Sequence, residues 1–291
     1  MSGLHILGAL LSLVVIYLLL RTAIRHAYRA PQRVEQGTPA DFGLTYRTVA
    51  ITTANHKRLF AWYLPPKTTA TPAPAVVVMH GWGGNAELML PFARQLYQAG
   101  YAVLLPDARN HGQSDGDGFS SMPRFAEDME HAFDWLASQP EVNPPQIALL
   151  GHSVGAAAAL LLASRRNDVA AVVSIAAFAH PETLMRRQMQ ANHIPYRPIG
   201  WVVLRYIERA IGHRFDAIAP ANTIRKIRCP VLLVHGDNDR SVPHADAELI
   251  HAGSENGKVE LLTLAGADHD SIEHVDAHGG KLIDFLRRAV G

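Results

Sequence analysis

Gly151-His152-Ser153-Val154-Gly155 decides how the rest of the chain is read. The five residues follow an apolar run over 146–150 and open an alanine-rich run over 156–163. That order predicts a strand, a sharp turn and a helix, the context in which a Gly-x-Ser-x-Gly turn presents a serine hydroxyl. The turn is strained, and bulk on either side of the serine would block it. Gly151 and Gly155 leave that room, while Ala156 and Ala157 let the helix lie close to the sheet. The hydroxyl then stands at the positive end of a helix.

A serine alone is a weak nucleophile near neutral pH. It needs a base, and the base needs an orienting carboxylate. Downstream, the apolar run Val231-Leu232-Leu233-Val234-His235 leads straight into Gly236-Asp237-Asn238-Asp239-Arg240-Ser241-Val242-Pro243. A second run, over 259–264, ends in Gly266-Ala267-Asp268-His269. Asp239 and His269 each lie just past a strand-like run. In a parallel sheet both join Ser153 on its carboxyl edge, where open α/β sheets place their sites. Asp237 and Asp268 compete with Asp239. Asp237 reads as a turn-stabilising residue, and Asp268 points away from His269 along an extended chain. His152 reads as a packing residue of the turn.

Two further stretches complete the pattern: His80-Gly81-Trp82-Gly83-Gly84 and Asp107-Ala108-Arg109-Asn110-His111-Gly112-Gln113-Ser114. With them, residues 44–290 resemble the serine hydrolases of the α/β-hydrolase superfamily. The resemblance implies Ser153 as nucleophile, His269 as general base and acid, and Asp239 as orienting carboxylate. In the family pattern two residues separate the acid from a Val-Pro pair, which selects Asp239 over Asp237. It also implies an oxyanion hole built from the backbone N–H groups of Val154 and Trp82, with His80 bracing the loop. Arg109 and Ser114 match positions that tie neighbouring loops together.

The expected fold is an eight-stranded, mostly parallel sheet with helices on both faces and a small helical cap. Strand-like runs lie near 45–52, 59–64, 75–79, 101–105, 146–150, 170–175, 231–235 and 258–264. Helical stretches lie near 86–99, 122–138, 153–165, 244–252 and 280–290. The catalytic domain is expected over 44–291. More than fifty residues separate the strand ending at Ile175 from the one starting at Val231, a length usually reserved for a functional insert. Residues 179–225 are read as that cap. Met185, Met189 and Trp201 are its candidate acyl-binding residues, because methionine adapts to irregular apolar ligands.

Composition suits a single globular enzyme: 48% hydrophobic and 18% charged over 291 residues, enough for one large core. Lysine and arginine number 27 against 26 acidic residues, and with no nucleic-acid motif such a partner is not expected. The single cysteine, Cys229, excludes an intramolecular disulfide and reads as a buried thiol. No His-Glu-x-x-His pattern accompanies the sixteen histidines, although His269, His274 and His278 share one stretch, so no metal is expected. The absence of a phosphate loop or dinucleotide fingerprint likewise predicts no cofactor.

The N-terminal stretch forms a separate element. From Gly3 to Leu20 no lysine, arginine or acid occurs, and Arg21, Arg25, Arg29 and Arg33 follow. Eighteen helical residues rise about 27 Å, the lower limit for a bilayer core. Residues 1–21 are therefore read as a single transmembrane anchor rather than a cleaved signal, and 22–43 as a linker. The arginine bias then places the catalytic domain in the cytoplasm.

The function expected is hydrolysis of an ester or thioester with a partly apolar acyl group. A peptidase or amidase using the same triad is the alternative within the enzymes. A catalytically silent binding protein on the same scaffold is the alternative outside them. A hydrolytic dehalogenase is disfavoured, since the turn carries serine rather than aspartate.

Overall fold

The structure is a computed structural model. It describes residues 5, 7–8, 10–12, 15, 18, 21–22, 29–67, 72–255, 257–271 and 274–290, with the side chains of 274–278 outside that set. Among the described residues eight strands form one sheet: β1 (Arg47–Thr53), β2 (Lys57–Leu64), β3 (Ala73–Met79), β4 (Ala102–Pro106), β5 (Val142–His152), β6 (Val172–Ile175), β7 (Val231–Gly236) and β8 (Val259–Leu264). Their spatial order is β1-β2-β4-β3-β5-β6-β7-β8. Strand β2 runs antiparallel to both neighbours, and every other pairing is parallel. The register sets Met79 beside Gly151 and His152 beside Ile175. The chain thus leaves β3, β5 and β6 at one level of the carboxyl edge.

Among the described residues the α-helices longer than four residues are α1 (Leu90–Gln98), α2 (Met122–Ala137), α3 (Val154–Ala163), α4 (Pro181–Ala191), α5 (Trp201–Ile211), α6 (Ala245–Ala252) and α7 (His274–Val290). The period of two along a strand sorts the core into two layers. Val76, Val78, Ala148 and Leu150 pack with α1 and α7 on one face. Val77, Met79, Ile147 and Leu149 pack with α2 and α3 on the other. All residues of α3 are buried, which explains a sequence apolar all round: this helix packs on the sheet and is flanked by α2, which lies on the same face, and by residues Pro220–Thr223. The expected architecture is therefore present, with helices on both faces.

Local boundaries moved for identifiable reasons. Strand β5 begins at Val142 and runs through Pro144 and Pro145, across a register irregularity opposite Ala73 and Ala75. Prolines are tolerated there because a disturbed ladder does not require their missing N–H groups. The loop after β4 is tied to α2 by Arg109, a buried guanidinium paired with Asp117 at 3.0 Å, Asp128 at 2.7 Å and Glu127.

Residues 176–230 leave the sheet between β6 and β7 and carry α4 and α5. Ion pairs hold this excursion together: Arg205 bridges Glu182 at 2.9 Å and Glu208 at 2.7 Å. It is held to α6 by Arg187, whose guanidinium meets Asp246 at 2.6 Å, while Asp246 also accepts the Ala179 N–H at 3.0 Å.

Residues 29–43, read as part of a linker, lie against the domain. Gln32 donates to the Gly112 carbonyl at 3.1 Å, and Asn85 donates to the Arg33 carbonyl at 3.1 Å. The N–H groups of Gln36 and Gly37 donate to Glu87 at 2.8 and 3.0 Å. This strap crosses the loop that follows β3.

The membrane expectation needs correction. Most of residues 1–28, the stretch that holds the expected anchor, lie outside the described residues. Among the described residues no helix is long and apolar enough to cross a membrane. The stretch is at the lower limit of a span, and it includes His5, Gly8 and Ser12, the last with its hydroxyl on the Gly8 carbonyl at 2.9 Å. A single-pass membrane protein is thus not supported. The cytoplasmic placement of the catalytic domain, which depended on the anchor, falls with it.

The turn between β5 and α3 carries a steric prediction. A Cβ at Gly155 would lie 2.4 Å from the His80 carbonyl oxygen, a backbone atom that cannot swing aside. Gly155→Ala is expected to lower the unfolding free energy by about 1–3 kcal/mol, the usual cost of overpacking. Urea unfolding followed by circular dichroism checks it; wild-type stability would refute the tight approach.

Candidate active site

Ser153 sits between β5 and α3 with φ 53° and ψ −117°. A non-glycine residue adopts this conformation only where its surroundings over-determine it, at a cost of about 1–3 kcal/mol. Here the surroundings are specific. The Ser153 N–H donates to the Ile175 carbonyl at 2.8 Å, and its carbonyl accepts the Ala157 N–H at 3.1 Å. Gly151 has no room for a side chain, since a Cβ would come within 2.3 Å of the Gly155 carbonyl oxygen. The serine is thereby driven out of the sheet edge.

The loop after β8 brings His269 to it. His269 Nε2 lies 3.0 Å from Ser153 Oγ, and His269 Nδ1 lies 2.7 Å from Asp239 Oδ2. With Nδ1–H donating to the carboxylate, Nε2 is left to accept the serine proton. Asp239 is buried, and its other oxygen accepts the N–H groups of Ser241 at 2.9 Å and Val242 at 2.8 Å. His235 adds to this cradle, with Nε2 2.7 Å from the Val242 carbonyl and 3.3 Å from Asp239 Oδ2. Burial opposes the charge on Asp239. The hydrogen bonds from His235, His269 and the Val242 N–H outweigh it and hold the carboxyl below the usual carboxylate range. Burial likewise opposes a charged His269, but the bond and the charge of Asp239, with Asp270 and Asp268 behind them, raise it above the ordinary histidine value.

The competing carboxylates are engaged elsewhere. Asp237 accepts the Gly266 N–H at 2.7 Å and so ties the β7 loop to the β8 loop. Asp268 accepts the His269 N–H at 2.6 Å. His152 does more than pack the turn, because its Nε2 contacts the His269 carbonyl at 2.9 Å. Burial, then the nearby His269, hold it below the ordinary histidine value, so a neutral ring donates there and braces the loop that bears His269.

Trp82 and Val154 both line the same cavity as Ser153 and His269. Val154 opens α3, where a backbone N–H has no partner within the helix. The β3 loop approaches closely: a Cβ at Gly81 would lie 3.2 Å from Ser153 Cβ. His80 is wholly buried beneath it, with Nδ1 2.7 Å from the Gly81 carbonyl and Nε2 3.0 Å from the Ala108 N–H. Burial and His111 hold its pKa down to about 3, as an accepting Nε2 requires.

The cavity measures about 810 Å³ and reaches under α4 and α5. Met185 lines it. Met189 is buried but not in the cavity wall; its sulfur packs where a Gly200 side chain would stand, at 3.0 Å. Trp201 is half-exposed and also lies off the wall. The wall instead uses Leu184, Ile207, Ile211 and Phe215, together with Arg33 from the strap. The spacing of Leu204, Ile207 and Ile211 in the sequence marks the inward face of α5 and could have found Ile207. Nothing local points to Arg33.

Three potential ligand atoms, from His152, His269 and Asp270, lie within 4.8 Å of one another. His152 Nε2 and both ring nitrogens of His269 are already committed to the bonds above. The side chains of His274 and His278 lie outside the described residues.

A family model described as serine aminopeptidase, S33, matches residues 70–210. That stretch holds the β3 loop and Ser153 and ends before Asp239 and His269. The uncharacterized protein Rv2307c of Mycobacterium tuberculosis is 31% identical over 242 residues, covering 83% of this chain and 78% of that protein. The uncharacterized protein YfhR of Escherichia coli is 25% identical over 281 residues, covering 94% and 91%. Among solved structures, the Pyrococcus furiosus esterase Pf2001 superposes with a TM-score of 0.71 at 22% identity, over 90% of this chain and 98% of that one. The α/β hydrolase GrgF from Penicillium does so at 0.67 and 22%, over 85% and 99%. The family match and the superposed folds support a hydrolase of the α/β-hydrolase superfamily, and identity over most of the mycobacterial protein shows that the chain belongs to one family with Rv2307c.

Proposed function

We propose that the protein is a serine hydrolase that cleaves carboxylic esters or thioesters with a partly apolar acyl group through an acyl-enzyme. The observation that carries this reading is the contact chain Ser153 Oγ to His269 Nε2 at 3.0 Å and His269 Nδ1 to Asp239 Oδ2 at 2.7 Å, at the wall of an apolar cavity. In this scheme His269 takes the serine proton as Oγ attacks the carbonyl carbon. The N–H groups of Val154 and Trp82 stabilise the oxyanion. His269 returns the proton to the leaving group, and water repeats the cycle to release the acid. Asp239 keeps the imidazole in the productive tautomer. Residues 179–225 act as a cap whose underside takes the acyl chain.

A peptidase or amidase is the second reading, favoured by the family description as serine aminopeptidase. It uses the same groups and differs in the leaving group His269 must protonate. Matched ester and amide substrates with one acyl group separate the two. Turnover of the ester with no cleavage of the matched amide supports the first reading, and measurable amide cleavage supports the second, since a serine peptidase also cleaves the more reactive ester.

Ser153→Ala should abolish p-nitrophenyl butyrate hydrolysis and fluorophosphonate labelling while circular dichroism stays unchanged. Wild-type turnover in this variant would overturn the assignment. The kcat/KM of the wild type should climb with pH through a midpoint above the ordinary 6.5 of histidine, because only neutral His269 accepts the proton. Asp239→Asn should cut kcat by about 10⁴ and move that midpoint to lower pH, since it removes the charge that raises His269. Ile207→Phe should shift the acyl-chain optimum of kcat/KM toward shorter chains; a uniform drop across all lengths would mean packing damage instead.

A further inference from the structure

The strap is joined to the domain by an arrangement that needs a proton. Asp107 follows β4 and is fully buried. Its Oδ1 accepts the Ala86 N–H at 2.8 Å, and its Oδ2 accepts the Gln113 N–H at 2.8 Å. The cradle is closed, since a Cβ on Gly112 would fall 1.9 Å from Oδ2. Glu35, from the strap, accepts from Gln113 Nε2 at 2.9 Å with one oxygen. Its other oxygen, Oε1, is buried and meets no donor among the described residues, and the Glu35 side chain lies within hydrogen-bonding reach of the Asp107 carboxyl. Two ionised carboxylates cannot share such a contact, because like charges at this range force a proton onto one of them.

We propose that Glu35 is a positioning residue: it accepts a hydrogen bond from a protonated Asp107 and thereby clamps residues 29–38 onto the loop that follows β3. That loop carries Trp82 and Gly83. The strap seats Pro31 against Gly83, where a Cβ would meet the proline ring at 2.7 Å. It also presents Arg33 to the cavity. Holding Glu35 therefore holds one wall of the site.

The surrounding charges favour the proton staying on Asp107. Burial first, then Glu35, pushes its pKa up to about 8, against the hydrogen bonds from Gln113 and Ala86. His80 and His111 are both held below the ordinary histidine value by burial, so neither supplies a compensating charge. Glu87 is engaged with the N–H groups of Gln36 and Gly37, and Asp41 with that of Thr38. The Arg109 guanidinium faces Asp117, Glu127 and Asp128 instead.

Linkage sets the direction of the pH effect. Releasing the strap takes Glu35 away from a buried Asp107, so the clamped form holds the proton up to about pH 8 and the released form gives it up at lower pH. Clamping is therefore strongest at low pH, weakens as pH rises toward about 8, and levels off above that.

Hydrogen exchange on the full chain tests this without turnover. Protection of residues 29–38, corrected for intrinsic exchange, should fall in the wild type as pH rises toward about 8, by up to about tenfold per pH unit. In Glu35→Gln the amide donates to an ionised Asp107, and protection should stay nearly constant over that range. Glu35→Ala should show low protection at every pH. A pH-independent wild type, or a Glu35→Gln slope equal to that of the wild type, overturns the proposal. The activity arm rests on the serine-hydrolase reading: the ratio of Glu35→Gln to wild-type kcat should rise severalfold from about pH 5.5 to 8.5, and a constant ratio would mean that the clamp does not position the site. Failure of the hydrolase reading would instead abolish turnover in both proteins and leave the exchange result standing.

Discussion

The whole site depends on how closely α3 can approach β3 and β5. A carbonyl oxygen of His80 stands where a Gly155 side chain would be, and the Gly155 carbonyl stands where a Gly151 side chain would be. Only with both positions bare can the chain reverse from strand to helix within one residue. That residue must then take the positive φ that thrusts Ser153 above the sheet edge. The sheet tolerates the strain because it is anchored on both sides, through Ile175 and Ala157. The position of the Ser153 hydroxyl is thus a product of backbone crowding and owes little to the serine itself.

A second level of organisation is electrostatic. The histidines near the site fall into distinct states set by their neighbours. His80, His111 and His152 are pushed toward neutrality by burial, and neutral rings brace loops well because one nitrogen donates and the other accepts. His269 alone among these four is raised, because Asp239 lies against it. Among these four, the three held neutral by burial brace loops, and the one set against Asp239 is the proton carrier of the proposed mechanism.

The parts legible in the sequence were those with local signatures. The apolar runs of β3, β5 and β7 announced a buried parallel sheet, and the glycine-flanked serine announced the turn. Asp239 and His269 could be placed because each directly follows such a run, so topology alone carried them to one edge. What stayed hidden depended on contacts distant in sequence. The strap is held by bonds from residues 32–37 to residues 85–87 and 112–114, and no local pattern encodes them. Met189 and Trp201 looked alike as apolar cap residues. Which face of each helix meets the cavity was settled by packing against the domain, and that face belonged to Leu184, Met185 and Ile207. The N-terminal apolar stretch misled for the opposite reason: its composition is that of a span, but length and polarity at His5 and Ser12 were marginal.

Trp82 gives the molecule an optical property. The residue is 41% exposed, lies on the wall of the cavity and packs its ring edge-to-face with His111 at 5.9 Å between centroids. Of the other three tryptophans, Trp62 is buried on the sheet, Trp135 stacks edge-on against Tyr63, and Trp201 faces outward from the cap. An apolar guest filling the cavity strips water from one indole and leaves the other three in unchanged surroundings. Emission from that indole then shifts toward shorter wavelength as the site fills. Occupancy is written into the intrinsic fluorescence of the protein, with no label and no turnover needed to read it.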